Sequence, residues 1–143
     1  MVSDVSNKLN SAFLSTYNGL DKLCCQKFGV VTGGTTEYIN RLINARFAPG
    51  RDEVLPRLVK YRNIRNRIAH ESGAIEKLDG ITRADLRWIS SFTKDLDKKR
   101  DPISLYLRKS RRYARRRRAR KYIIFALLLA VAALAAVAYM LLK

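Results

Sequence analysis

Histidine and cysteine are almost missing from this chain: one of the former, His70, and two of the latter, Cys24 and Cys25, stand among 143 residues. Neighbouring cysteines do not easily reach disulfide geometry with one another, so a reduced, intracellular setting is the simpler expectation. One histidine, with no CxxC or HxxxH spacing, supplies no structural zinc site. No metal and no cofactor are therefore expected. Proline occurs only three times, no segment sustains a period-two alternation, and the pair Val30-Val31 is too short for a strand. What is left is an all-α class. The opening MVSDVSNKLN also lacks the apolar core of a signal peptide, so nothing is expected to route the first hundred residues outward.

Acidic residues are scarce as well, 12 against 29 Lys and Arg for a net charge of +17, but the imbalance is local. Residues 1–97 hold 15 Lys and Arg against 11 Asp and Glu, whereas residues 98–121 hold 13 against Asp101 alone. The basic character belongs to one short segment and says little about the rest.

Residues 122–142, YIIFALLLAVAALAAVAYMLL, contain no charge, no glycine and no proline. At a rise of about 1.5 Å per residue such a run covers the ~30 Å hydrocarbon core of a bilayer. Soluble helices rarely lack a polar stripe over this length. A transmembrane helix is expected, with Tyr122 and Tyr139 near its two interfaces. The stretch RKSRRYARRRRARK, Arg108 to Lys121, precedes it and only Lys143 follows. By the positive-inside rule the N-terminal domain stays cytoplasmic and the C-terminus crosses, the topology of a single-pass tail anchor. Arg111, Arg112, Arg115, Arg116, Arg117 and Arg118 are expected to meet anionic lipid headgroups, with RNA phosphates as the second candidate.

Upstream, apolar residues step by three and four through Leu9, Phe13, Tyr17, Leu20 and Cys24, which predicts an amphipathic helix over residues 4–28 ending at Gly29. The run TGGTT, residues 32–36, is a turn whose last threonines are expected to cap a second helix carrying Tyr38, Ile39, Leu42 and Ile43. A third begins near Asp52 or Glu53, with Pro56 in its first turn, and continues through Leu58, Tyr61, Ile64 and Ile68 to Ser72-Gly73. After a turn at Leu78-Asp79-Gly80, Thr82 with Asp85 has the spacing of a capping box and opens a fourth, carrying Leu86, Trp88, Ile89, Phe92 and Leu96. Asp101-Pro102 then starts a helix that runs unbroken into the membrane. The expected organisation is an antiparallel helical bundle over residues 1–100, a basic juxtamembrane helix over 101–121 and the transmembrane helix over 122–142.

Chemistry near neutral pH falls to His70. On an ideal helix Asn63, Asn66 and Arg67 lie within about 60° of it and Tyr61 almost opposite, so His70 belongs to the polar face and not to the core. Asparagine is a middling helix former, so two of them there suit hydrogen bonding better than helix stability.

The run Arg65-Asn66-Arg67-Ile68-Ala69-His70 resembles the R-x4-6-H motif of HEPN domains, including the polar residue straight after the arginine. The resemblance covers roughly residues 4–100. It implies a metal-independent endoribonuclease, a toxin or stress and defence effector, acting as a homodimer whose two motifs face each other. Arg65 and His70 would be catalytic and Asn66 would support them; beside that resemblance, Arg62, Asn63 and Arg67 of the same helix are expected to hold phosphate. It further implies RNA as substrate and, for some members, a neutralising partner protein. Physically, cleavage through a ribose 2′-hydroxyl needs one group to take a proton and another to give one, and a two-fold dimer of a one-histidine chain offers both. Arg65 and His70 nonetheless diverge by about 140° on an ideal helix. Either the helix loosens, or Arg65 acts across the dimer, or Arg62 and Arg67 share its task. The rival expectations are a non-catalytic membrane-anchored dimerisation or adaptor module and, third, a tether acting only through residues 111–121.

Overall fold

The computed structural model describes residues 2–70 and 81–142, with side chains from residue 7 onward. All regular structure among the described residues is α-helical: α1 (Val2–Phe28), α2 (Gly34–Asn44), α3 (Arg51–His70), α4 (Arg83–Asp97) and α5 (Pro102–Leu141). The chain divides into a compact unit, Met1–Tyr106, and a second, Leu107–Lys143.

The apolar stripe of α1 is buried as its spacing requires, at Phe13, Tyr17, Leu20 and Cys24. The helix stops where Gly29 turns to φ 69° and the N–H groups of Gly29 and Val30 both return to the Cys25 carbonyl. That left-handed turn costs glycine little.

At α2 the structure departs from the local pattern. Neither Thr35 nor Thr36 caps it. The helix starts at Gly34, with Gly33 at its cap in left-handed backbone (φ 70°) and no capping side chain of its own. The reason is tertiary: Asp21 of α1 reaches across, and its Oδ1 accepts the Thr35 N–H at 2.7 Å. Gly34 lies directly on the α1 backbone, where a Cβ would strike the Asp21 carbonyl oxygen and the Cys25 nitrogen. The glycine pair thus permits a close crossing of α1 and α2.

α3 enters through Gly50 (φ 73°), whose carbonyl accepts the Val54 N–H at 3.1 Å. Because the helix begins at Arg51, Pro56 falls in its second turn and not its first. The ring withholds one N–H from the Asp52 carbonyl, and both residues are exposed, on the solvent side of the helix. The expected stop at Ser72-Gly73 and turn at Leu78-Asp79-Gly80 lie outside the described residues. α4 opens with the expected capping box: the Thr82 side chain accepts from the Asp85 N–H, and the Asp85 carboxylate accepts from the Thr82 N–H. Burial works against the ionised Asp85, but hydrogen bonds from Thr82, Tyr61 and Lys60 outweigh it and hold the pKa at about 2.

Within the compact unit α1 packs on α4 and α2, and α2 on α3. Aromatic contacts run from Phe28 to Tyr38, Phe92, Trp88, Tyr61 and Phe13, and end at Tyr17 on α1 again. Within that series Trp88 stacks on Phe92 at 5.2 Å, nearly parallel, with the Arg57 guanidinium 5.2 Å from its centroid. Such contacts add about 0.5–1.5 kcal/mol each beyond area burial.

The start of α5 belongs to this core. Pro102 and Ile103 are buried, and the Asp101 side chain is fully so. Asp101 accepts hydrogen bonds from Lys27 Nζ (2.6 Å), from the Tyr38 hydroxyl (2.8 Å) and from the Ser104 N–H (3.2 Å). Burial would raise its pKa; these partners reverse the direction and keep it below the ordinary value. Past Tyr106, α5 is exposed through its basic residues and its apolar run. It is long and apolar enough to cross a membrane.

Candidate functional site

α3 carries the arginine and asparagine side chains singled out above, and its periodicity distributes them. Arg62, Arg65 and Asn66 span about 100° of arc on an ideal helix, and all three line one cleft of about 290 Å³. Its second wall is α1, through Tyr17, Asn18 and Asp21. Its third is the α1–α2 turn with the start of α2, through Thr32, Gly33 and Thr36. The cleft is therefore polar on three sides, with two guanidiniums against one carboxylate.

Neither guanidinium is in an ion pair among the described residues. Arg62 is half-buried, and Arg65 is exposed and only grazes the Asn66 side-chain oxygen at 3.5 Å. The carboxylate, by contrast, is engaged: Asp21 takes the Thr35 N–H through Oδ1 and faces the Cys25 thiol at 3.8 Å through Oδ2. Burial pushes the Tyr17 phenol above its ordinary pKa, against the pull of the two arginines. Tyr17 is thus a protonated wall of the cleft at neutral pH and not a base.

His70 stands elsewhere. It is the last residue of α3, exposed, and does not line the cleft. Asn63 and Arg67 are exposed on α3 and also lie outside it. Within one chain the structure brings Arg62, Arg65 and Asn66 together and leaves His70 apart. The helix stays regular through His70, which removes the option that loosening closes the 140° gap. Arg111, Arg112, Arg115, Arg116, Arg117 and Arg118 are all exposed on the second unit. No group of three His, Cys, Asp or Glu placed to hold a metal occurs among the described residues.

Sequence reasoning missed Tyr17, Asn18, Asp21, Thr32, Gly33 and Thr36. The signal within reach was the double glycine, which reads locally as a turn; in the folded chain it lets α2 approach α1 closely enough to set one wall. A separate apolar groove of about 580 Å³ lies between α1 and α4, floored by Leu9, Ala12 and Leu86 and rimmed by Lys8, Arg83 and Arg87.

A protein-family model described as a family of unknown function, DUF6548, matches residues 11–125. That span takes in most of α1, the rest of the compact unit, the basic stretch and the first apolar residues after it. No curated protein and no solved structure matches the chain.

Proposed function

For this chain, which belongs to the DUF6548 family, we propose a membrane-anchored, HEPN-type endoribonuclease that works as a homodimer without a metal. The observation that supports it most is the division of labour along α3. Two guanidiniums without an ion-pair partner among the described residues and an amide converge on a cleft, while the sole imidazole of the chain is exposed at the end of the same helix.

The chemistry asks for these parts in two places. The 2′-oxygen attacks phosphorus, its proton passes to a base, the bond from phosphorus to the 5′-oxygen breaks, and that oxygen takes a proton. Charge grows on the non-bridging oxygens, and forked guanidinium donors suit it. One chain holds Arg65 and His70 apart, so in this proposal a second copy brings its His70 to the first copy's Arg65, where that one imidazole takes the 2′-hydroxyl proton and then returns it to the 5′-oxygen. Asn66 fixes the phosphate, Arg62 adds charge, and Asn63 and Arg67 extend the surface along the RNA.

The apolar run of α5 is the anchor, and the arginines before it lie against anionic headgroups on the cytoplasmic side. A neutralising partner would keep such an enzyme silent in the cell that makes it.

The test is induced expression of the full chain beside Arg65→Ala, His70→Ala and both single variants together. Growth arrest with RNA ending in 2′,3′-cyclic phosphate, lost in either variant and partly restored when the two are co-expressed, is the expected result. Intact RNA in every strain sinks the enzymatic proposal. Loss without restoration sinks the shared site.

A second reading, a non-catalytic adaptor, is favoured by the groove at Leu9, Ala12 and Leu86. Its rim of Lys8, Arg83 and Arg87 suits an acidic amphipathic helix of a partner protein. Under this reading His70→Ala keeps cellular function and Leu86→Glu loses it.

A further inference from the structure

We propose that the cleft between α1, the α1–α2 turn and α3 is a receptor for a phosphomonoester group, supplied by the terminal phosphate of an RNA. The inference rests on the RNA-directed reading above and narrows it to the linkage beside a strand end: the terminal phosphate enters the cleft, and the adjoining diester lies at its rim, where the exposed Arg65 and the second copy's His70 act on it.

Charge comes first. Arg62 and Arg65 line the cleft without an ion-pair partner among the described residues, and Arg62 is half-buried. Holding two like charges side by side, one of them partly desolvated, is unfavourable unless an anion joins them. Asp21 offsets part of that charge but forms an ion pair with neither guanidinium, since its carboxylate is turned to the Thr35 N–H and the Cys25 thiol, and the cleft stays net positive. A terminal phosphate carries about −1.5 to −2 at neutral pH, against one charge for an internal diester. Two guanidiniums match the former.

Shape points the same way. About 290 Å³ is at the small end of ligand pockets. Helical or turn backbone walls it on three sides, so it receives one end of a strand more readily than it lets a strand pass through. Thr32, Thr36 and Asn66, which carry two hydroxyls and an amide, also line the cleft. These groups donate to phosphate oxygens and accept from a ribose hydroxyl. The N-terminus of α2 adds its positive end to the same wall.

The test uses the full chain in detergent micelles and short RNAs made uncleavable by 2′-O-methylation, ending in a 5′-phosphate, a 3′-phosphate or hydroxyls only. Binding is read by fluorescence anisotropy. Because the arginines of residues 111–121 bind every RNA alike, the quantity that matters is the ratio between phosphorylated and unphosphorylated ends. At least one charge-assisted hydrogen bond is at stake, so a preference of about tenfold or more is expected for one phosphorylated end. Arg62→Gln with Arg65→Gln abolishes it, and Arg46→Gln, at an exposed arginine outside the cleft, leaves it intact. Thr36→Val and Asn66→Ala, on opposite walls, each lower it severalfold and carry the test if the double variant does not fold. Adenosine 5′-monophosphate and inorganic phosphate compete for the same cleft. If either displaces the RNA at concentrations equal to its own, the source is a free phosphate and the RNA-end proposal is overturned. Equal binding of all three RNAs overturns it too, as does a preference that survives in every cleft variant. A preserved preference without RNA cutting in cells removes the ribonuclease alone, whereas cutting without a preference removes this site alone.

Discussion

Lys27 at the end of α1 and Asp101 at the start of α5 form an ion pair of 2.6 Å across 74 residues of sequence, with the Asp101 side chain wholly out of solvent. Removing the lysine leaves a buried carboxylate with neutral partners only. Lys27→Met is expected to destabilise the compact unit by about 2–3 kcal/mol, somewhat under the value for a fully buried pair because Lys27 keeps some solvent contact. Denaturant unfolding of the full chain in micelles measures it. A loss under about 0.5 kcal/mol would show that Tyr38 and Ser104 hold Asp101 unaided.

Two glycines should respond oppositely to the same change. Gly34→Ala puts a methyl into the α1 backbone and is expected to cost about 3 kcal/mol or more. Gly19, inside α1, has nothing within 4 Å of an added Cβ. Gly19→Ala is therefore expected to stabilise by about 0.5–1 kcal/mol. Thermal midpoints of the pair check the close crossing directly.

Acid should unfold the compact unit over a definite range. Asp85 titrates at about 2 in the folded chain and Asp101 also lies below the ordinary 3.8. The folded state then binds fewer protons than the unfolded state, so these groups add stability above that ordinary value and lose it as pH falls toward 2. Melting curves between pH 6 and pH 2 read the slope. Asp85→Asn is expected to be less stable at pH 6 and to show a shallower decline.

If the proposed cleavage holds, His70→Ala separates activity from folding. The residue is exposed at a helix end, so the variant is expected to melt within about 0.5 kcal/mol of the parent while RNA cutting falls by about 10²–10⁴. A large loss of stability in this variant would mean that His70 supports the fold.

An arginine at the middle of the apolar run is expected to weaken insertion by about 2.5–3.5 kcal/mol. Ala132→Arg should accordingly move part of the chain from the carbonate-resistant membrane fraction to the soluble one. Unchanged extraction would count against α5 as the anchor.

Elements governed by short spacing were legible from residues alone. The stripe of α1, the Thr82–Asp85 box and the unbroken run from Pro102 to Leu141 each depend on neighbours within a turn. Features decided by distant partners were not. α2 begins at Gly34 because Asp21 takes the Thr35 N–H from another helix, which no local rule for threonine anticipates. Asp101 reads as a helix start, yet Lys27 and Tyr38 make it a buried junction. For the candidate site, the α3 residues Arg62, Arg65 and Asn66 could be named in advance, whereas Tyr17, Asp21 and Thr32 could not. Their convergence depends on the angle at which α1 and α2 cross.

The stacking of Trp88 on Phe92 gives the protein an optical address. Trp88 is the only tryptophan, so indole emission arises at the seam of α3 and α4 and nowhere else, and a guanidinium and a phenol within reach make it sensitive to small shifts there. The polar cleft has no indole in its walls, so an anion settling into it is dark by contact. A change in emission when RNA is added would then record movement carried along α3 from Arg62 to the neighbouring Tyr61, a signal of mechanical response free of any attached dye.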